Sequence, residues 1–514
     1  MYPGFHAVAQ PDRPAVIMGR SRETIAYREL DERSARLARL LHAAGLRPGD
    51  KIAILAENHP RYYEVYWAAV RSGLYLAAVN SRFGPGEAAY LVNDCGAAAL
   101  ISTARQAATA TAMLGLIPGC PLRLMMDGAA DGFEGYEDAL RGYPPEPLAD
   151  QPRGDVLQYT AGTTGQPKGV MRPLSGLQID DPAAVGVSML ERMLLGMDET
   201  SVYLCPAPLY HAAGLQWSTG THELGGTVVL MEKFDAEEML RLIERERVTH
   251  AQVVPTMLVR LMKLPEQVRR GYDVSSLKCV VHAAAPCPAE VKRQVIDWLG
   301  PIVSEYYAGS EGCGLTFISA AEWLEHPGSV GRAILGIPRI CGEDGAELSA
   351  GEPGLVFFER ERSPFEYHGD PAKTRGSHHP GHPAWSTFGD VGYLDSGGYL
   401  YLTDRLAFTI ISGGVNIYPA EIESCLIMHP EVADVAVFGL PDPEMGEYVH
   451  AVVQPADGVY GSIELAEQLR AYVRARLAGY KVPRVVDFRA ELPRAATGKL
   501  HKGQLRAEYL AARA

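Results

Sequence analysis

The stretch Tyr159-Thr160-Ala161-Gly162-Thr163-Thr164-Gly165-Gln166-Pro167-Lys168-Gly169 gathers hydroxyls, glycines and one lysine, with no bulky side chain after Tyr159. Glycines let successive backbone N–H groups converge on an anion, and threonine hydroxyls add donors. Lys168 adds a compact positive charge suited to phosphate. The apolar run Asp155-Val156-Leu157-Gln158-Tyr159 reads as a short strand leading into this loop. A flexible surface turn would need neither the strand nor the clustered Thr160, Thr163, Thr164 and Lys168. The loop therefore reads as a phosphate cradle, although its spacing is not that of a Walker A loop.

Further along, Pro206-Ala207-Pro208-Leu209-Tyr210-His211-Ala212-Ala213-Gly214 puts a histidine behind a strand and ahead of small residues, where a ligand could approach closely. Val280-Val281-His282-Ala283-Ala284-Ala285-Pro286 runs a strand into a tight small-residue turn. That turn is either an ordinary strand end or a flat backbone floor for a ring. Tyr306-Tyr307-Ala308-Gly309-Ser310-Glu311-Gly312 supplies a ring to stack, a hydroxyl for phosphate and a carboxylate for a hard cation. In Thr387-Phe388-Gly389-Asp390-Val391-Gly392-Tyr393 the aspartate either caps a glycine turn or accepts from a pair of ribose hydroxyls. His378, His379 and His382 raise the question of a metal. No carboxylate or cysteine set completes such a site, so the segment 361–384 reads as an irregular, solvated loop.

The elements that must carry these residues follow from periodicity. Residues 27–45 have helical spacing and end at Gly45 and Pro48-Gly49. Strands at Lys51–Leu55, Tyr75–Val79 and Ala97–Ser102 alternate with helices at 60–72 and after Gly84-Pro85-Gly86, which predicts a parallel sheet flanked by helices. Residues 141–154 read as a surface connection into the loop. Residues 183–197 have helical spacing with Met189, Met193 and Met197 on one stripe, which reads as core or as an adaptable pocket wall. Residues 235–262 read as helix, strand and helix. After Arg405 the pattern changes to a smaller α+β unit, with a helix at 419–428, strands at Val432–Phe438 and Val449–Val453, and a helix at 463–478.

At 514 residues the chain is expected to hold two or more domains. Its 47% hydrophobic and 21% charged residues are ordinary for a globular protein. No apolar run approaches the roughly 18 residues that span a bilayer, and the N-terminus lacks a secretion signal. The eight scattered cysteines, with no Cys-x-x-Cys, point to reduced thiols in the cytoplasm. A net charge of −14 argues against nucleic-acid binding. It leaves room for ATP or CoA, because surface charges are screened beyond about 8 Å.

Taken in order, these segments resemble the adenylate-forming superfamily, and within it the acyl-CoA synthetases and fatty-acid–CoA ligases. The loop at 159–169 resembles the superfamily's phosphate loop, and Tyr307 to Glu311 its Tyr-Gly-x-Thr-Glu motif, with Ala308 and Ser310 as departures. Leu492-Pro493-Arg494-Ala495-Ala496-Thr497-Gly498-Lys499 is similar to its terminal Gly-Lys motif. The resemblance implies an α/β fold, with a large N-terminal domain of mixed and parallel sheets (1–405) and a small mobile C-terminal α+β domain (406–514). It implies an enzyme that activates a small-molecule carboxylic acid with Mg-ATP through an acyl-adenylate, then passes the acyl group to CoA and releases AMP. Under it, Thr160, Thr163, Thr164 and Lys168 bind phosphates, Ala283, Ala284, Ala285 and Tyr307 hold adenine, and Ser310 meets the α-phosphate. Glu311 binds magnesium, Asp390 and Arg405 take the ribose, and His211 borders the carboxylate pocket. Lys499 bridges carboxylate and phosphate, and the Gly413-Gly414 face serves CoA. The Tyr-Tyr-Ala-Gly form and the Asp404-Arg405-Leu406-Ala407-Phe408 crossover resemble a subgroup acting on long-chain or bulky fatty, steroid or terpenoid acids. Ala407 replaces the charged hinge residue of many relatives, which leaves a chain specialised for one half-reaction open. The other readings are an adenylation enzyme loading a carrier protein and a non-catalytic nucleotide-binding protein. The resemblance is also compatible with a homodimer.

Overall fold

The computed structural model describes residues 2–512 apart from 161–166, 185, 406–407, 414 and 495–499, and it leaves out the side chains of Asp404 and Arg405 as well. Two compact units result. The first comprises Met1–Val253, Lys263–Val281 and Pro364–Thr374; the second comprises Val254–Met262, His282–Ser363 and Arg375–Ala514.

The first unit holds the expected parallel sheet. In an eight-stranded sheet, Asp155–Thr160, Tyr75–Val79, Lys51–Leu55, Ala99–Thr103 and Leu122–Met126 lie side by side and parallel. Tyr75–Val79 is buried along its whole length, as a central strand covered on both faces must be, which explains its unbroken apolar run. The chain enters Asp155–Thr160 at Gly154, where an added Cβ would lie 2.1 Å from the Leu74 carbonyl oxygen, so only glycine passes. At its far edge this sheet turns antiparallel, with Lys168–Met171 against Asp155–Thr160 and Glu366–Tyr367 against Lys168–Met171.

A second group of strands in this unit, Pro14–Met18, Thr227–Leu230, Val202–Cys205 and His250–Val253, is also parallel. The helix Ala212–Leu224 starts at His211, whose backbone is extended, and stops at Gly225 in the left-handed region at φ +85°. His222 locks its last turn in place. Trp67 Nε1 donates to His222 Nδ1 at 3.3 Å, which leaves His222 Nε2 to donate to the Ala15 carbonyl at 3.1 Å. Burial holds this imidazole down to about 3. An unfolded chain protonates the group below about pH 6.5, whereas the folded chain does not until about pH 3. Stability is therefore lost as pH falls through that window. We expect the melting temperature of His222→Gln to fall less steeply than that of the parent between pH 6.5 and 4. Parallel melting curves across that range would contradict a neutral buried His222.

The second unit carries an antiparallel run of strands in the order Ile337–Cys341, Gly354–Glu359, His382–Leu394, Leu400–Arg405, Ser329–Leu335, Leu315–Ile318 and Val303–Ala308. Its smaller five-stranded sheet is built on the long hairpin Val432–Asp442 and Gly446–Pro455, with Ile410–Ser412, Val415–Ile417 and Val485–Phe488 beside it. Ile422, Leu426, Leu465, Leu469 and Val473 from the helices Pro419–Leu426 and Ile463–Arg474 cover one face of that sheet.

Three sequence expectations are corrected. The segment 361–384 is not an irregular loop. It forms short strands at Glu366–Tyr367 and His378–His379 and a turn of helix at Pro371–Gly376, and it enters the long strand His382–Leu394. His379 is buried against Phe357 and bonds the Gly345 carbonyl at 2.8 Å, while His382 stacks on Trp385. Asp390 lies within that strand and not in a turn, because Asp390, Val391 and Gly392 are taken up in the ladder opposite Arg405, Asp404 and Leu402. The methionine stripe divides: Met189 and Met193 are 50% and 68% exposed, and only Met197 is buried. The helix is Ser188–Leu195, turned so that Ser188 and Glu191 face inward. Ser188 donates to Glu223, which also pairs with Arg153 at 2.5 Å. Burial raises the Glu191 carboxyl well above its ordinary range.

Candidate active site

In the first unit, the ends of one hairpin carry the phosphate-loop residues. Thr160 closes Asp155–Thr160 and stands opposite Lys168, the first residue of Lys168–Met171. Thr163 and Thr164, between them in the sequence, lie outside the described residues. Lys168 Nζ lies 3.2 Å from Asp370 Oδ2, with both side chains about a quarter exposed, at 27% and 26%. The hydrogen bond to Asp370 raises the Lys168 ammonium above its ordinary value. Asp370 is held below the usual carboxylate range, first by the backbone N–H of Lys373 and then by Lys168. A screened pair of this kind contributes little stability, so Lys168 can exchange Asp370 for a phosphate at small cost. Sequence reading missed Asp370, whose signal was its place just before a proline-started helix. The strand beneath is anchored by Tyr159, whose phenol donates to Asp94 Oδ2 at 2.5 Å. His211 caps the helix Ala212–Leu224 with its ring 5.0 Å from that of Tyr210. Gly214 lets that helix sit 2.5 Å, measured from an added Cβ, against the Pro208 carbonyl oxygen.

The second unit brings the nucleoside candidates together. Tyr307 lies on Val303–Ala308, inside the strand and not beyond it. Its phenol donates to Asp390 Oδ2 at 2.7 Å. Phe388 meets the Tyr307 ring edge-on at 5.5 Å, and Phe358 closes the cluster. Gly309 is pressed beneath Phe388 and Glu311: an added Cβ would lie 2.5 Å from the Phe388 ring and 3.0 Å from Glu311 Oε2. Ser310 and Glu311 occupy the turn after the strand, which Gly312 N closes on the Gly309 carbonyl at 3.0 Å. Gly312 takes φ +69°. Asp390 is 8% exposed and stands in register with Arg405. The Tyr307 ring, the Asp390 carboxylate and the Glu311 carboxylate thus share one end of this sheet. The Tyr307–Asp390 bond could not be read from spacing, because 83 residues separate the two.

Ala283 is buried while Ala284 and Ala285 are exposed. Ala284 sits at φ +75°, one of the few residues other than glycine in the left-handed region. A Cβ there costs about 1–2 kcal/mol, and such strain persists where the surroundings over-determine it. Gly413 adopts φ +58° over Met445, with Ile411, Val415 and Met445 exposed around it. Gly414 and Lys499 lie outside the described residues. Among the described residues no three His, Cys, Asp or Glu side chains converge on a metal cage. A magnesium ion that keeps its waters and bridges phosphates needs only one or two carboxylates, and the partly exposed Glu311 fits that demand.

Residues 5–361 match the model of the AMP-binding enzyme family, and residues 421–499 match the AMP-binding enzyme C-terminal domain. The chain belongs to the AMP-binding enzyme family. It is an AMP-forming acid–thiol ligase of the adenylate-forming superfamily, with ATP, Mg2+ and CoA as the reactants of that class. It is 36% identical to a feruloyl-CoA synthase of Amycolatopsis sp over 99% of its length and 98% of the relative's. It is 32% identical to the fatty acid–[acyl-carrier-protein] ligase ScoC of Streptomyces coeruleorubidus, over 98% of this chain and 95% of that one. The o-succinylbenzoate CoA synthetase MenE of Bacillus subtilis, solved with its acyl-adenylate intermediate OSB-AMP, superposes with a TM-score of 0.79 at 28% identity, covering 98% of this chain and 97% of that one. Among the described residues no helix is long and apolar enough to cross a membrane.

Proposed function

We propose that this enzyme activates a long-chain or bulky hydrophobic carboxylic acid as its acyl-adenylate and transfers the acyl group to the thiol of CoA. The observation that carries the nucleotide half is the Tyr307–Asp390 hydrogen bond, with Glu311 and Phe388 around it. A stacking ring and a buried acceptor for ribose hydroxyls are joined there before any ligand arrives. In this reading Tyr307 and the Ala283–Ala285 backbone hold adenine, and Asp390 and Arg405 hold ribose. Thr160, Thr163, Thr164, Lys168 and Ser310 neutralise the phosphates. When bound through Glu311, Mg2+ supplies charge neutralisation on those phosphates. His211 lines the carboxylate end, and Lys499 reaches carboxylate and α-phosphate together.

A carboxylate is not displaced by a thiol at useful rates, so the mixed anhydride supplies the leaving group, and the protein's part is positioning and charge stabilisation. We divide the chain into an adenylation domain, 1–405, and a lid, 406–514, whose Gly413-Gly414 face receives CoA. The eight unpaired cysteines support a reducing, cytoplasmic setting. The oligomer we carry forward is a homodimer, to be read by light scattering.

The relative that loads an acyl-carrier protein favours a second reading, in which the acceptor is a phosphopantetheinyl carrier. AMP release measured over fatty, aryl-propenoic and polycyclic acids, with CoA or a carrier as acceptor, separates the two. We expect turnover with CoA and the highest kcat/KM for a large apolar acid. A carrier-only product would transfer the assignment to the second reading, and a preference for small polar acids would contradict the substrate class.

A further inference from the structure

We propose that Glu305 is a positioning residue which, through Lys292, fixes the segment Ala283–Pro286 relative to the Tyr307 ring and so sets the enzyme's selectivity for adenine. The inference rests on the nucleotide reading given above. Glu305 and Tyr307 are two apart on Val303–Ala308 and project to the same side of the strand. Lys292, fully buried on the helix Ala289–Leu299, donates from Nζ to Glu305 Oε2 at 2.6 Å. Its ammonium also lies 4.8 Å from the centre of the Trp323 ring.

His282 Nε2 is 3.6 Å from the same carboxylate oxygen. Burial keeps that imidazole well below its ordinary value and therefore neutral, and neither of its nitrogens has a hydrogen-bond partner. Cys287, at the end of the segment, has its thiol raised by burial and next by the charge of Glu305. One carboxylate thus lies beside the residue just before Ala283 and holds the helix that follows Pro286, while standing on the strand that carries Tyr307. The segment between contains Ala284 at φ +75°, a strained conformation of the kind that persists where the surrounding structure over-determines it.

Stability alone does not call for this arrangement, since a buried ion pair can usually be replaced by a packed apolar pair without loss. What an apolar pair lacks is the fixed length and direction of the Nζ–H···O bond. A displacement of the order of an ångström remote from the chemistry can cost as much as 10²-fold.

The test uses the full-length enzyme and compares the parent, Glu305→Gln, Lys292→Met and the double variant Lys292→Met/Glu305→Leu. For each, the KM for ATP, the KM for the acid, the preference for ATP over GTP and the melting temperature are measured. We expect the double variant to melt near the parent while its KM for ATP rises about tenfold. Its preference for ATP should collapse and its KM for the acid should stay within about twofold. Glu305→Gln, which keeps the shape but not the charge, should move the same quantities in the same direction even if Lys292→Met does not fold. A double variant with the parent's ATP KM and nucleotide preference overturns the inference, and so does an unchanged Glu305→Gln. A parent that neither binds ATP nor prefers it to GTP overturns the nucleotide reading itself, and this inference with it.

Discussion

We expect Lys499→Ala to slow acyl-adenylate formation by on the order of 10²–10³-fold while leaving CoA transfer from synthetic acyl-AMP near the parent rate. Charge redistributes over the α-phosphate as the carboxylate attacks, and an ammonium already in place there acts only on the transition state. Once the adenylate exists, that demand is over. The assignment comes from the terminal Gly498-Lys499 motif, which closes the stretch matched to the family's C-terminal domain. Separate assays of ATP–pyrophosphate exchange and of thioester formation from acyl-AMP check it. Equal losses in the two would mean that Lys499 is structural.

The second large effect belongs to Asp390. Asp390→Ala should weaken ATP and acyl-adenylate binding together by at least about 10²-fold, since two hydrogen bonds to a carboxylate contribute roughly 1.5–3 kcal/mol each. Both ligands carry the same ribose. The substitution also leaves the Tyr307 phenol without the acceptor it now has at 2.7 Å. Tyr307→Phe separates these contributions: it keeps the ring, removes the bond, and should cost only a few-fold. Calorimetric titration with ATP and with a non-hydrolysable acyl-adenylate analogue reads both. Unchanged ATP affinity accompanied by a lower melting temperature would make Asp390 a strand residue and nothing more.

The difference between what the sequence disclosed and what it hid is physical. Strands such as Tyr75–Val79 were legible because burial on both faces demands an unbroken apolar run. The stretch 159–169 drew the phosphate reading because clustered threonines, glycines and a lysine serve no packing purpose, and its residues 161–166 lie outside the described residues. By contrast, 361–384 looked like loop because its histidines, prolines and glycines suit turns, while the ladder partners of its first strand lie far away in sequence, as with Glu366 opposite Met171. The stripe Met189, Met193 and Met197 had helical spacing, but Ser188 turned inward, where its hydroxyl donates to Glu223, itself paired with Arg153, and the face it shares with Glu191 is the buried one.

Sequence reading did not single out Lys292. It falls at helical spacing from Val295 and Ile296, both buried, and a lysine on an apolar stripe was the available signal. The strained backbone of Ala284 left no trace in the sequence, because alanine, unlike glycine, does not advertise a positive φ.

An AMP-forming ligase joins its carboxylic acid to the α-phosphate of ATP before any thiol takes part. ATP–pyrophosphate exchange, measured with and without a large apolar acid and with no CoA present, tests it most directly. Exchange should require both the acid and Mg2+ and should disappear in Lys499→Ala. Exchange independent of the acid, or no exchange from a folded enzyme that binds ATP, would contradict it.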